Sequence, residues 1–238
     1  MMVGMTPGLR LATLPALDAL TGLVHGFEQR LGPAGWESRQ AGQARMAAAL
    51  ERWGRLLLLK QVHGAAVRVA PWEGTPEADA AIADAPRILL GIETADCLPV
   101  LIVDPRRRAV AAAHAGWRGT ALGVTAQAAR ALLARGSEPG DLWAALGPGI
   151  GPCCYEVGPE LRQAFGDGGE EFFRPASNGK LHLDVRAANR RQLRRAGLPA
   201  ERILSLDHCT FCCQGLYHSF RREGREAGRM ISFVGFRG

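Results

Sequence analysis

Lysine is almost absent: positions 60 and 180 hold the only two among 29 basic residues, so the positive charge is carried by arginine. Tyrosine occurs only at 155 and 217, and aromatics make up 6% of the 238 residues. No apolar run approaches the roughly 18–20 residues of a bilayer-spanning helix, so no membrane association is expected. The opening MMVGMTPGLRLATLPAL lacks a basic flank followed by an apolar stretch and a cleavage site. It therefore reads as no secretory signal, and a cytoplasmic protein is expected. Repeats, low-complexity tracts and Pro/Ser linkers are missing, and the chain is read as one domain over residues 1–238. With 47% hydrophobic and 22% charged residues, disorder, collagen and coiled coil are excluded as overall descriptions. A chain of this length buries about 70% of its unfolded surface, enough for a sizeable core.

The net charge is +6, and the excess is local: residues 185–238 hold eleven arginines against four acids. Such a face suits nucleic acid, a phosphorylated small molecule or plain solvent. Residues 185–205 carry no interleaved aromatics for base stacking, so specific nucleic-acid binding is not expected. Six cysteines are too few for a disulfide scaffold, and free thiols are predicted. The adjacent Cys153 and Cys154 could form only a strained disulfide and are taken as packing residues. Cys209-Thr-Phe-Cys212 is a C-x-x-C, a spacing used for redox chemistry or for half of a zinc site, whose other half would have to be Cys153-Cys154.

Periodicity predicts helices over 38–53 with Ser38 as N-cap, over 119–136 ended by Gly136, and over 185–197 opened by Asp184 and closed by Gly197. Strands are predicted over 56–62, 65–70, 88–92, 98–104, 109–114 and 142–149. This mixture, with at least one hairpin, argues an α+β fold. Asp104-Pro105-Arg106-Arg107 suits a type I turn centred between 105 and 106. That register sets Cys97 opposite His114, close enough to share a metal or a proton. His63, predicted to end the strand 56–62 ahead of Gly64, would complete a His₂Cys set with an open fourth position. An open position of that kind activates water in catalytic zinc sites. The ligands lie too far apart in sequence for a zinc finger. Next, Gly116 and Gly119 flank Arg118 at the start of the long helix, a combination of dipole, free N–H groups and guanidinium suited to an anion. The loop from Gly147 to Gly158 is no Walker A motif, lacking its GK[ST] ending, and is expected to wall a pocket.

These residues fall into a known pattern. His25-Gly-Phe with Arg30, Lys60-Gln-Val-His-Gly64, Thr94-Ala-Asp-Cys-Leu-Pro-Val-Leu-Ile102, Ala113-His-Ala-Gly-Trp-Arg-Gly-Thr120, Gly147 to Gly158, Cys209-Thr210, and Tyr217-His-Ser-Phe-Arg-Arg222 follow in order along the chain. The sequence resembles the YfiH, or multi-copper polyphenol oxidoreductase (laccase-domain), family, also described as purine nucleoside phosphorylases. The resemblance implies a single α+β domain of layered mixed β-sheets flanked by helices, akin to Cys/His hydrolase folds; a monomer is expected. Carried over residue by residue, the metal ligands fall on His63, Cys97 and His114. The metal implied is zinc, with copper as the alternative. The activities implied are phosphorolysis of adenosine, inosine and methylthioadenosine, and deamination of adenosine. Phenol oxidation and peptidoglycan-precursor editing are also attributed to the family. A laccase needs several coppers and many histidines, and only His25, His182, His208 and His218 remain. For a nucleoside enzyme, Asp96 is the candidate to shuttle a proton, and Arg118, Arg222 and Arg30 are the candidates for substrate and phosphate. The chain departs from the pattern at Glu28-Gln29 and Gly32-Pro33, flanking Arg30.

Overall fold

The computed structural model describes residues 8–31, 38–166, 168–176 and 179–238. The first residues, read above for a signal, and the Gly32-Pro33 doublet lie outside them. In chain order the strands are β1 (Leu11–Ala12), β2 (Leu23–Glu28), β3 (Arg55–Leu57), β4 (Val67–Val69), β5 (Ala80–Ala83), β6 (Ile88–Thr94), β7 (Leu98–Asp104), β8 (Ala109–Ala115), β9 (Trp143–Leu146), β10 (Glu156–Val157), β11 (Phe173–Pro175), β12 (Leu181–Leu183), β13 (Ile203–Ser205) and β14 (Met230–Phe236). The helices are α1 (Pro15–Asp18), α2 (Arg39–Leu50), α3 (Trp117–Ala121), α4 (Val124–Leu133), α5 (Leu161–Ala164), α6 (Val185–Arg195) and α7 (Phe220–Glu223). Six strands pair in the order β13-β9-β7-β8-β5-β4, five in the order β1-β2-β14-β6-β3, and three in the order β10-β12-β11. Both larger sheets are mixed, with β13–β9, β4–β5 and β3–β6 parallel.

The two larger sheets stack between helices, as the expected layered α+β architecture requires. Every residue of β7 and β8 is buried. Val100 and Ile102, with Ala111 and Ala113, face α4 and α6 through Val124, Ala128, Leu132, Val185 and Leu193. Leu101, Val103, Val110 and Ala112 point the other way, onto Phe27, Leu90, Ile92 and Val234 of the five-stranded sheet. That sheet's outer face packs on α2 through Met46 and Leu50. Alanine is a poor strand former, but five alanines in β8 let layers on both sides approach, and burial outweighs the propensity. Each fully buried Leu, Ile or Val of β7 contributes roughly 1.5–3 kcal/mol. No helix among the described residues is long and apolar enough to cross a membrane.

Four local expectations shift. In the β7–β8 hairpin, Asp104 pairs with Ala109 and Pro99 with His114, two residues from the predicted register. Asp104 does start the turn, accepting from the N–H groups of Arg106 and Arg107, but Arg108 at φ 53° lengthens the loop to four residues. A slip of two preserves the face on which each side chain lies, so Cys97 still shares one with His114. The predicted strand 56–62 pairs with β6 only as far as Leu57, with a single parallel bridge from Lys60 to Glu77 further on. Beyond it the Gln61 amide replaces the ladder, donating to Glu93 O and accepting from Glu93 N. The helix predicted over 119–136 begins at Trp117 and breaks at Gly123, whose φ is +79°. Gln192 of α6 satisfies that break, donating to Thr120 O and accepting from Ala126 N. The strand predicted over 142–149 stops at Leu146. The caps behave as read, with Ser38 accepting from Ala41 N and Asp184 from Ala187 N.

His25 of β2 is buried, and its Nε2 accepts from Leu14 N at 3.3 Å. Burial lowers its pKa to about 4, although Asp18 at 3.9 Å pulls the other way. An accepting Nε2 means a neutral ring, so burial wins. Between an unfolded value near 6.5 and about 4, the unfolded chain binds a proton that the folded one refuses. Stability therefore drops as the pH is lowered through that window, by on the order of 2–3 kcal/mol at its bottom. His25→Gln keeps an acceptor for Leu14 without titrating. Its denaturation midpoint should lose less than the wild type's between about pH 7 and about pH 4.5, and parallel pH profiles would refute this.

Candidate metal centre and cavity

Asp79, immediately before β5, is fully buried. Its carboxylate accepts from three consecutive backbone N–H groups, those of Val62 (3.1 Å), His63 (2.9 Å) and Gly64 (2.6 Å). This clamp holds His63 at φ 61°, a left-handed conformation uncommon outside glycine. His63 thus sits in a turn, not at a strand end. The same carboxylate takes the Nδ1–H of His114 at 2.8 Å, and Asp79 O accepts from His114 N at 2.7 Å. With Nδ1 engaged, Nε2 of His114 is left for a metal. A carboxylate behind a ligand histidine fixes its tautomer and ring orientation. Burial raises the Asp79 carboxyl's pKa, but the His114 hydrogen bond and the N–H groups outweigh it and hold it below the usual range.

Cys97 follows Asp96, itself at φ 86°, in the turn between β6 and β7. Its Sγ lies 3.9 Å from His63 Nε2, and one donor atom from each of His63, Cys97 and His114 lies within 4.8 Å of the others. Three donors on one tetrahedral zinc are separated by roughly 3.3–3.8 Å given bonds of 2.0–2.3 Å, so modest side-chain adjustment suffices. A Cβ on Gly116 would come within 2.9 Å of Cys97 Sγ and 3.2 Å of His63 Cδ2, so glycine keeps this space open. The residues fit one thiolate-accepting metal ion. Burial opposes charge on both Cys97 and His114, but each charged form stabilises the other. The Cys97 thiol is pulled below its ordinary value, and His114, aided by Asp79, is raised above its own.

The trio opens on a cavity of about 530 Å³. Five arginines line it (Arg39, Arg118, Arg186, Arg221 and Arg229) against the acids Glu93 and Asp96. Glu93 is spent on a two-pronged pair with Arg39. Arg118, in the first turn of α3, stacks on Trp117 at 4.9 Å. Arg186 is mostly buried, and its Nε has no hydrogen-bond partner. Tyr155 and Phe220 add aromatic walls. Converging positive charge in a cavity concentrates anions.

Of the residues singled out from sequence, the fold brings His63, Cys97, His114, Asp96 and Arg118 to this cavity. The Asp96 carboxylate takes three donors: Thr210 Oγ1 (2.6 Å), Ser219 Oγ (3.0 Å) and Arg221 N (2.7 Å). Arg222 does not line it. Its guanidinium turns inward onto the carbonyls of Thr210, Phe211 and Tyr217 and onto Glu223. Its neighbour Arg221 lines the cavity instead, because successive residues on a helical turn such as α7 point about 100° apart. Arg30 pairs with Glu223 and faces an adjoining cavity of about 480 Å³ without the trio. Sequence reasoning missed Asp79, Arg186 and Arg229. The first acts through backbone N–H groups 15–17 residues away, a pattern with no motif; the others were visible only within the arginine excess.

Known proteins resemble this chain in sequence and in fold. The chain is 36% identical over 208 residues to the purine nucleoside phosphorylase YlmD of Geobacillus stearothermophilus, covering 81% of this chain and 75% of that protein. It is 35% identical over 200 residues to the adenosine deaminase RL5 of an unknown prokaryotic organism, covering 82% and 72%. The crystal structure of the Bacillus licheniformis hypothetical protein YfiH superposes with a TM-score of 0.86 at 26% identity, covering 97% of each chain. The family model described as multi-copper polyphenol oxidoreductase laccase matches residues 37–237. The chain therefore belongs to the multi-copper polyphenol oxidoreductase laccase family, the laccase-domain proteins.

Proposed function

We propose that this chain is a zinc-dependent purine nucleoside enzyme, cleaving adenosine, inosine or methylthioadenosine with phosphate and deaminating adenosine. The observation that carries this reading is a His₂Cys trio opening onto a cavity whose charge is dominated by arginine. Relatives named purine nucleoside phosphorylase and adenosine deaminase support it. A zinc ion on His63, Cys97 and His114 would supply Lewis acidity toward water or substrate. The chain's own residues do the rest. Arg118, held by its stack on Trp117, binds and orients a phosphate for attack at the ribose C1′. Arg221 and Arg229 share its charge. Tyr155 and Phe220 provide flat apolar walls for the purine. Asp96, its carboxylate taken up by three donors, serves as a positioning residue: it fixes the loop of Cys97 and the start of α7. Copper would also accept two imidazoles and a thiolate, but the multi-copper reading lacks ligands. Among the described residues only two groups of three or more donors converge, and His25, His182, His208 and His218 belong to neither.

A panel of nucleosides with and without phosphate, combined with metal analysis, tests the reading. Phosphate-dependent release of purine base by zinc-loaded protein is expected. Phenol oxidation with bound copper, and no turnover of any nucleoside, would overturn it.

Two variants probe the parts. Asp79→Asn keeps the size but loses the charge that holds His114 and the three N–H groups. Zinc affinity should fall by roughly 10–100-fold, read by competition with a chelator, and unchanged affinity would remove Asp79 from the centre. Arg118→Ala, and to a lesser degree Arg118→Lys, should raise the KM for phosphate while zinc content is retained, because lysine lacks the planar two-pronged geometry. Deamination needs no phosphate and should suffer less. Equal loss of both activities would assign Arg118 to the nucleoside instead.

A further inference from the structure

Cys153 and Cys154, read from sequence as packing residues, converge with the C-x-x-C of Cys209 and Cys212. Cys153 and Cys154 lie in the loop after β9, and Cys209 and Cys212 in the loop after β13, about fifty-five residues on. One sulfur from each lies within 4.8 Å of all the others. The Sγ of Cys212 is 3.7 Å from that of Cys153 and 3.3 Å from that of Cys154. Sulfurs bound to one tetrahedral zinc at about 2.3 Å stand about 3.8 Å apart. A disulfide between any two would need S–S near 2.05 Å and would leave the other two sulfurs facing it.

We propose that Cys153, Cys154, Cys209 and Cys212 form a second, structural metal site that binds one zinc ion as a tetrathiolate. The backbone around Cys209 favours a charged sulfur. Cys209 Sγ accepts from Gly151 N at 3.2 Å and from the N–H of Cys212, the arrangement of a C-x-x-C knuckle. A Cβ on Gly151 would sit 3.3 Å from both Cys153 Sγ and Cys209 Cβ, so glycine lets the two loops close. The Arg222 guanidinium donates to the carbonyls of Thr210 and Phe211, the two residues inside the knuckle, at 2.8 Å each. It places a guanidinium, also paired with Glu223, beside a site whose zinc and four thiolates would sum to two negative charges. A four-sulfur tetrahedral set selects zinc or iron, and a closed set with no open position is the structural type. Loading replaces four thiol protons by four zinc–sulfur bonds and needs no oxidant.

The site ties together two walls of the cavity. The first loop carries Ile150 and Tyr155, and the second leads into Phe220 and Arg221. Cys153 and Cys212 are exposed, and binding would withdraw both from oxidation. This assignment is independent of the activity proposed above and of the His63, Cys97, His114 centre.

The test is zinc stoichiometry of the whole reduced protein by elemental analysis. Wild type should hold two zinc per chain. Cys97→Ala, which leaves the four-cysteine cluster untouched, should hold one. Cobalt substituted into Cys97→Ala should give the intense thiolate charge-transfer bands of a tetrathiolate site. The double variant Cys209→Ser with Cys212→Ser should lose one zinc and keep the other. Should that variant not fold, the Cys97→Ala measurements still decide. Cys97→Ala protein with no zinc, or with iron in its place, would overturn the assignment. So would two fewer than six reactive thiols in denatured, chelated wild type, which would reveal a disulfide.

Discussion

The Asp79 carboxylate is the interaction on which the candidate centre depends. It is a buried charge, and burying a charge is costly unless it is paired and hydrogen-bonded. Here it takes three backbone N–H groups and an imidazole N–H, so the cost is offset by four donors. Those donors belong to two segments with no direct strand pairing, the turn of His63 and the end of β8. One side chain thereby fixes the left-handed backbone of one ligand and the tautomer of another. The third ligand, Cys97, comes from the turn that leads into β7, and the buried faces of the β7–β8 hairpin leave that turn little freedom to shift.

Charge around the cavity is arranged in two ways. Arg39 and Arg222 are consumed by carboxylates and carbonyls and act as struts. Arg118 lines the cavity with its guanidinium against an aromatic face. A guanidinium stacked on an indole keeps its full charge and donor set. The Arg-rich C-terminal segment is thus less a uniform basic surface than a mixture of braces and cavity walls.

Much of this was legible in the sequence, and what was not has identifiable causes. The apolar runs of β7 and β8 and the caps Ser38 and Asp184 act locally, and the structure follows them. His63, Cys97 and His114 were visible as metal-binding residue types at strand margins. The hairpin register was misjudged because a left-handed Arg108 lengthens a turn that otherwise begins as expected. The helix over 119–136 breaks because an amide from α6, remote in sequence, makes a break at Gly123 inexpensive. Choosing Arg222 over Arg221 required the orientation of a single helical turn. Asp79 offered no signal, since three of its four side-chain partners are backbone groups that every residue has and the fourth, His114, lies 35 residues away.

The position of β14 bears on how the molecule is made. It follows every other strand in the chain, yet it lies between β2 and β6, pairing with both. As the polypeptide leaves the ribosome, the earlier strands of the five-stranded sheet emerge with the gap between them unfilled. Until residues 230–236 arrive, β2 and β6 each present a bare hydrogen-bonding edge flanked by apolar side chains, the kind of surface that templates aggregation. Nascent chains arrested short of this strand are therefore natural clients for chaperones, and this sheet is completed only after nearly the whole domain has been translated.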